Sequence, residues 1–212
     1  MPAGHMECDT VWPLVVVGAG AAGMLAALFA ARGGVRTLLV ETRPRPGAKI
    51  RVSGGGRCNV LPSVSTHDDF HTRGSRNSLR KLLASWPLEQ VRAFFEDELG
   101  IPLQVEPTGK VFPRSNDPRE IVAALLGACA AAGVELVCGL RVIELRRAEG
   151  AGAARFELEA EDGRRIGAER VVLATGGLSL PKTGSDGGGM DIARGLGHEL
   201  VPKHQELVPL LA

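Results

Sequence analysis

Three glycines, Gly18, Gly20 and Gly23, stand at a spacing that does chemistry when it joins a strand to a helix. They follow the unbroken apolar run Leu14–Val17 and open an Ala- and Leu-rich stretch, Ala21–Arg32. In such a turn the first glycine permits the tight bend, and the second, lacking a Cβ, lets a diphosphate approach the backbone. The third lets the helix lie close to the strand. Ala19, Ala21 and Ala22 complete the turn. The helix start offers unpaired N–H groups and roughly +0.5 of an elementary charge to an anion. Glu41 closes the next apolar run, residues 37–40, with Thr42 beside it. A carboxylate about 20 residues past the glycines accepts hydrogen bonds from a ribose diol. The glycine spacing alone is weak evidence, whereas strand, glycine turn, helix, strand and acid in that order favour a dinucleotide site over a glycine-rich packing turn.

A second glycine block lies in residues 47–59, where Lys49 and Arg51 precede Ser53, Gly54, Gly55, Gly56, Arg57, Cys58 and Asn59. Three consecutive glycines cost much chain entropy on folding, which makes sense where backbone lies against something flat or bulky. With the flanking positive charges, a ligand-cradling loop is favoured over a plain surface loop. Cys58 reads as a packed small residue rather than a nucleophile, because no base partner sits near it in sequence. A third block follows the apolar run 171–174 as Thr175, Gly176 and Gly177, then a loop over 178–182 and more glycines to Gly189. At the carboxyl edge of an open α/β sheet such an ending brings backbone close to a cofactor. His198 reads as a cap or surface residue, and His204 and Glu206 receive no role. No Ser-His-Asp set, H-E-x-x-H or carboxylate pair stands out, so catalytic residues stay unassigned and the chemistry falls to a cofactor.

The elements that must position these residues follow from periodicity and punctuation. Glycine at Arg32-Gly33-Gly34 supplies a left-handed cap for the first helix. Residues 79–85 and 87–99 read as helices, the latter with Pro87 at its first position and Leu88, Val91, Phe94, Phe95 and Leu99 as core. A strand is expected at 103–106, and residues 109–113 read as a turn into a strand. Asp117, Pro118 and Glu120 form a helix start with a capping box, and that helix runs to 132. Strands at 134–137, 140–145, 155–160 and 164–166 follow, with Asp162-Gly163 as a hairpin turn. They are expected to form a small antiparallel ribbon set into an otherwise parallel sheet. A last helix covers 190–196. The fold class is α/β.

Composition narrows the rest. The chain has 212 residues, a net charge of +1 and 44% hydrophobic residues, which is ordinary for a globular protein of one or two domains and implies no nucleic-acid partner. Arg73, Arg76, Arg80 and Lys81 read as a solvated basic face. The four cysteines, Cys8, Cys58, Cys129 and Cys138, are scattered without C-x-x-C spacing, so neither a zinc site nor a redox dithiol is expected, and no metal site is assigned. No apolar stretch suits a bilayer and no signal peptide is visible, which points to the cytoplasm. Residues 1–12 read as a disordered tail, 13–200 as the nucleotide-binding domain.

Taken together, these stretches resemble the flavoproteins called aminoacetone-oxidase-like or BaiN/YhiN-like, which include dehydro-bile-acid reductases. The matching residues are 16–23, Glu41, Lys49-Ile50, 53–59, Phe112-Pro113, 174–177 with Ser179 and Pro181, 182–185, 196–198 and 207–210. The stretch 53–59 is the most specific. The resemblance implies a Rossmann-like FAD-binding domain of the glutathione-reductase type. It implies that Gly18, Gly20 and Gly23 hold the FAD diphosphate and Glu41 the adenosine ribose. Lys49 and residues 53–59 would line the flavin side, Val142 would meet the adenine through its backbone, and Thr175, Gly176 and Gly177 would approach the diphosphate. Two departures stand near the flavin: Leu180 replaces a usual Tyr, and Gly188-Gly189-Met190 replaces Asp-Gly-Tyr.

Family members are roughly twice this length. The resemblance therefore implies an N-terminal portion, with residues 201–212 beginning a missing substrate domain and FAD held weakly or not at all by this chain alone. The implied function is flavin-mediated hydride or electron transfer between NAD(P)H or a small organic substrate and an enone-like acceptor or oxygen. An NAD-binding dehydrogenase without flavin and a non-catalytic remnant are the alternatives. Glu41 disfavours a 2′-phosphate in the first of these, although Arg43 and Arg45 weaken that argument. A small-molecule substrate is expected, and an unpaired sheet edge favours self-association.

Overall fold

A computed structural model describes residues 10–70, 72, 74–148 and 154–201. In chain order the strands are β1 (Val11–Trp12), β2 (Leu14–Val17), β3 (Thr37–Glu41), β4 (Leu61–Pro62), β5 (Leu103–Val105), β6 (Lys110–Pro113), β7 (Glu135–Cys138), β8 (Val142–Arg147), β9 (Phe156–Ala160), β10 (Arg165–Ala168) and β11 (Val171–Leu173). The α-helices are α1 (Ala21–Arg32), α2 (Ala48–Gly56), α3 (Arg76–Ser85), α4 (Leu88–Ala93), α5 (Pro118–Ala131) and α6 (Gly188–Gly195).

A parallel sheet with the order β11-β2-β3-β7 forms the middle layer. Its central strands are unbroken apolar runs over residues 14–17 and 38–40, because both faces are covered there. Leu14, Val16 and Leu39 join one core with Met24 and Leu28 of α1 and with Ile121 and Leu125 of α5. Val15, Val17, Leu38 and Val40 join a second core with Trp12, Leu145, Leu158 and Ile166. That second core belongs to another sheet, ordered β1-β10-β9-β8.

The expected ribbon is therefore corrected. Of its four expected strands, 134–137 is β7 and joins the parallel sheet, while β8, β9 and β10 form a separate layer together with β1. Its strands alternate wetter and drier positions, as in β10, where Ile166 and Ala168 are buried and Arg165 and Gly167 are not. Such strands need one apolar cover, and the parallel sheet supplies it. On the wet face Arg146 and Arg165 pair with Glu157 and Glu159.

Several boundaries move. Val11 and Trp12 pair with β10, and Trp12 is buried, so the fold begins before residue 13. The rest of the expected tail, residues 1–9, lies outside the described residues, as do 202–212, which hold His204 and Glu206. At the end of α1 the glycine pair does supply the left-handed residue, which is Gly34. Pro87 caps α4 from outside, and the chain continues as one wider turn, Phe94–Glu98, closed by Leu99 N–H to the Phe94 carbonyl at 3.0 Å. The capping box at α5 does not form. Asp117 accepts from Arg119 N, while Glu120 accepts from Ser115 Oγ instead of reaching back. β11 is an edge strand only partly buried, because nothing described pairs with its outer side.

Candidate dinucleotide site

The site grows from the turn between β2 and α1. Gly18 adopts φ +105°, and a Cβ there would stand 2.6 Å from the Ala174 carbonyl oxygen. A Cβ on Gly23 would lie 1.8 Å from the Gly18 carbonyl oxygen, so α1 sits on the turn at a distance only glycine allows. Around Gly20 nothing lies within 4 Å of a Cβ. Its open side faces a cavity of about 360 Å³. The first-turn amides of α1 have no acceptor within their own helix. Ala21 and Ala22, which carry two of them, border that cavity.

Glu41 ends β3 beside the turn. Its Oε2 accepts from Ala19 N at 2.8 Å and its Oε1 from Arg43 N at 2.8 Å. The carboxylate thus ties the glycine turn to the end of β3 while bordering the cavity with Thr42. Gly47 N–H bonds the Ala19 carbonyl at 2.9 Å and starts α2 on the turn's other flank.

The expected loop over residues 47–59 is corrected here. Residues 48–52 are helical, and the chain leaves the helix at Ser53, with Gly54 and Gly55 left-handed at φ +58° and +70°. Ser53, Cys58 and Asn59 border the cavity. Gly54, Gly55 and Gly56 do not. They form an exposed turn, and a Cβ on Gly54 would strike the Phe112 ring at 2.6 Å. Arg57 also points away, stacked 4.1 Å over Phe112 and paired with Glu106. Burial pushes the Cys58 thiol up, against a weaker opposing hydrogen bond from Ser53, so the group stays protonated and is no ready nucleophile.

The structure therefore gathers Gly18, Ala19, Gly20, Ala21, Ala22, Glu41, Thr42, Lys49, Ser53, Cys58, Asn59, Thr175 and Gly176 around one cavity. Gly23 stands behind it as a packing contact. Gly177 is not on its wall, and Val142 lies in the core between the sheets. Sequence reasoning missed Thr183, Gly184 and Ser185, which close another side, and the apolar floor of Leu25, Phe95, Ile121 and Leu125. The segment 182–185 belongs to the stretches that carry the resemblance, but nothing in its residue types gave it a role. Among the described residues no three His, Cys, Asp or Glu side chains gather as a metal site.

Comparison with known proteins agrees with this geometry. The chain is 32% identical over 197 residues to the 3-dehydro-bile acid delta(4,6)-reductase of Clostridium scindens, covering 92% of this chain and 46% of the relative. It is 30% identical over 200 residues to the ribosomal RNA dihydrouridine synthase of Escherichia coli, covering 92% and 47%. The chain spans about half the length of these curated relatives. Among solved structures, the 3-ketosteroid-delta4-(5alpha)-dehydrogenase of Rhodococcus jostii shares the fold. Its TM-score is 0.65 at 17% identity, over 92% of this chain and 56% of that one. The match to a family model runs over residues 12–204, from the buried Trp12 through all the cavity walls. With its glycine turn, acid and layered sheets, the chain belongs to the HI0933-like protein Rossmann domain family.

Proposed function

We propose that the chain is the FAD-binding part of an oxidoreductase that passes a hydride or electrons from a reduced nicotinamide or small organic substrate to an enone-like acceptor or oxygen. One observation carries the reading: the glycine turn, Glu41 and the Ser53, Cys58 and Asn59 wall share a single cavity. A nicotinamide-only enzyme accounts for the first two and leaves the third without use. The residues fit FAD, because the open side of Gly20 and the free amides of α1 suit a diphosphate. Gly18 to Ala22 would hold that diphosphate, with Thr175 and Gly176 approaching it, and Glu41 the adenosine ribose. Lys49, Ser53, Cys58 and Asn59 would lie along the flavin side. Bound FAD supplies two-electron chemistry. The chain's own side chains bind and orient it, and the protonated Cys58 presents a neutral surface.

The two relatives named above are a reductase and a dihydrouridine synthase, and both names denote reduction, which supports an electron-poor double bond as acceptor. The Escherichia coli relative's name favours a second reading in which that acceptor is a base in RNA. No described helix is long and apolar enough to cross a membrane. Titrating FAD into the chain is expected to give saturable fluorescence quenching, with weak retention on gel filtration. Saturable NAD binding without FAD binding would replace the reading with a flavin-free dehydrogenase. NADH oxidation on supplying the C-terminal half of a curated relative in trans excludes a non-catalytic remnant.

A further inference from the structure

Residues 177–187 have no part in the assignment above, yet Thr183, Gly184 and Ser185 line the same cavity. We propose that residues 177–187 form a strap that closes over the dinucleotide, fastened by side chains from three separate parts of the chain. The inference rests on the FAD reading. Arg43, two residues past Glu41, donates from Nη2 to the Lys182 carbonyl at 2.5 Å. Lys49 Nζ donates to Ser179 Oγ at 3.1 Å. Arg141 Nη2, just before β8, donates to Asp186 Oδ2 at 2.7 Å and holds that carboxyl below the usual carboxylate range.

The strap is seated closely where the cavity lies. A Cβ on Gly184 would be 3.6 Å from Arg43 Cγ, so this stretch lies on the residue two past Glu41. A Cβ on Gly176 would be 2.6 Å from Ser185 Oγ, so Ser185, itself buried, packs on the second glycine edge. Elsewhere the hold is thin. Leu178 and Leu180 are 48% and 57% exposed, and Leu180 sits at φ +55°, a strained conformation for a non-glycine residue. Left-handed Gly176 and Gly187 mark the two ends. A segment held by exposed polar ties with little apolar burial opens at small cost. A dinucleotide that touches Gly184 and Ser185 only in the closed form shifts the population toward closure.

The test follows FAD release from the full chain by stopped flow, and tryptic cleavage after Lys182 with cleavage after Lys81 on α3 as internal reference. FAD and ADP are each expected to slow cleavage after Lys182 and not after Lys81. Arg43→Ala and Arg141→Ala are each expected to speed FAD release about three- to tenfold, the loss of one charged tie. Arg141 lies off the cavity wall, so its effect on release must run through the strap. Thermal melts of both variants verify folding. Unchanged release in both variants, or Lys182 cut equally fast with FAD bound, overturns the strap and leaves FAD binding intact. A wild-type chain that binds neither FAD nor ADP overturns the cofactor reading, and the strap falls with it.

Discussion

Gly20 and Gly23 stand three residues apart and answer to different constraints. A methyl on Gly23 collides with the Gly18 carbonyl at 1.8 Å, so Gly23→Ala forces α1 off the turn. We expect it to cost about 1–3 kcal/mol, lowering Tm by several degrees in calorimetry. A methyl on Gly20 meets nothing within 4 Å, and its φ of −81° suits alanine. Gly20→Ala should lower Tm by no more than about 4 °C, since an N-cap glycine-to-alanine change costs only about 1 kcal/mol or less, and still abolish FAD quenching. The thiols give a second prediction. Burial raises the pKa of Cys58, Cys129 and Cys138, and Glu41 adds to the rise at Cys138. Above the unfolded thiol pKa the native state then holds more protons than the unfolded chain, so stability falls as pH rises. Urea midpoints should drop between about pH 8 and pH 10, and less in Cys129→Ala. The types and order of Gly18, Gly20, Gly23 and Glu41 were readable in the sequence because each answers to a local demand. That Gly54 to Gly56 face away was not readable, since it depends on Phe112 more than fifty residues on.

At the scale of elements, β2 and α1 keep the bounds their residues announce, since an apolar run meets glycine punctuation and then helix formers. The helical part of α2 escaped because it is about one turn of helix between a proline-rich loop and the glycine run 54–56, too short for a period to emerge. The strap escaped because its meaning lies in contacts such as Arg43 to Lys182, separated by 139 residues. α5 shows a local signal only half used: Asp117 caps the helix, but Glu120 prefers Ser115. Asp117→Ala should therefore cost about 1 kcal/mol, the worth of one cap, read as a shift in urea midpoint at unchanged slope. Glu120→Ala should cost less, because no backbone amide of the helix start depends on it.

For the whole molecule, the three layers place the cavity at one end of a parallel sheet whose outer strands are β11 and β7. Val172 on β11 is 37% exposed, and Leu136 on β7 is 39% exposed. Open strand edges with apolar side chains invite pairing with other chains. We expect light scattering of the isolated chain to show mass rising with concentration, and Val172→Lys to suppress the rise. A clean monomer at every concentration would contradict this. The layer order was only partly legible, because alternation in residues 155–160 shows that a strand has one wet face without showing what covers the other.

Glu41 holds the turn by two backbone amides, whatever occupies the cavity. Its side chain is thus part of the scaffold as well as a candidate hand for a sugar. A lineage that had lost its nucleotide would still be selected to keep this acid for the sake of folding. Persistence of the acid among descendants would by itself say nothing about whether they still carry a cofactor.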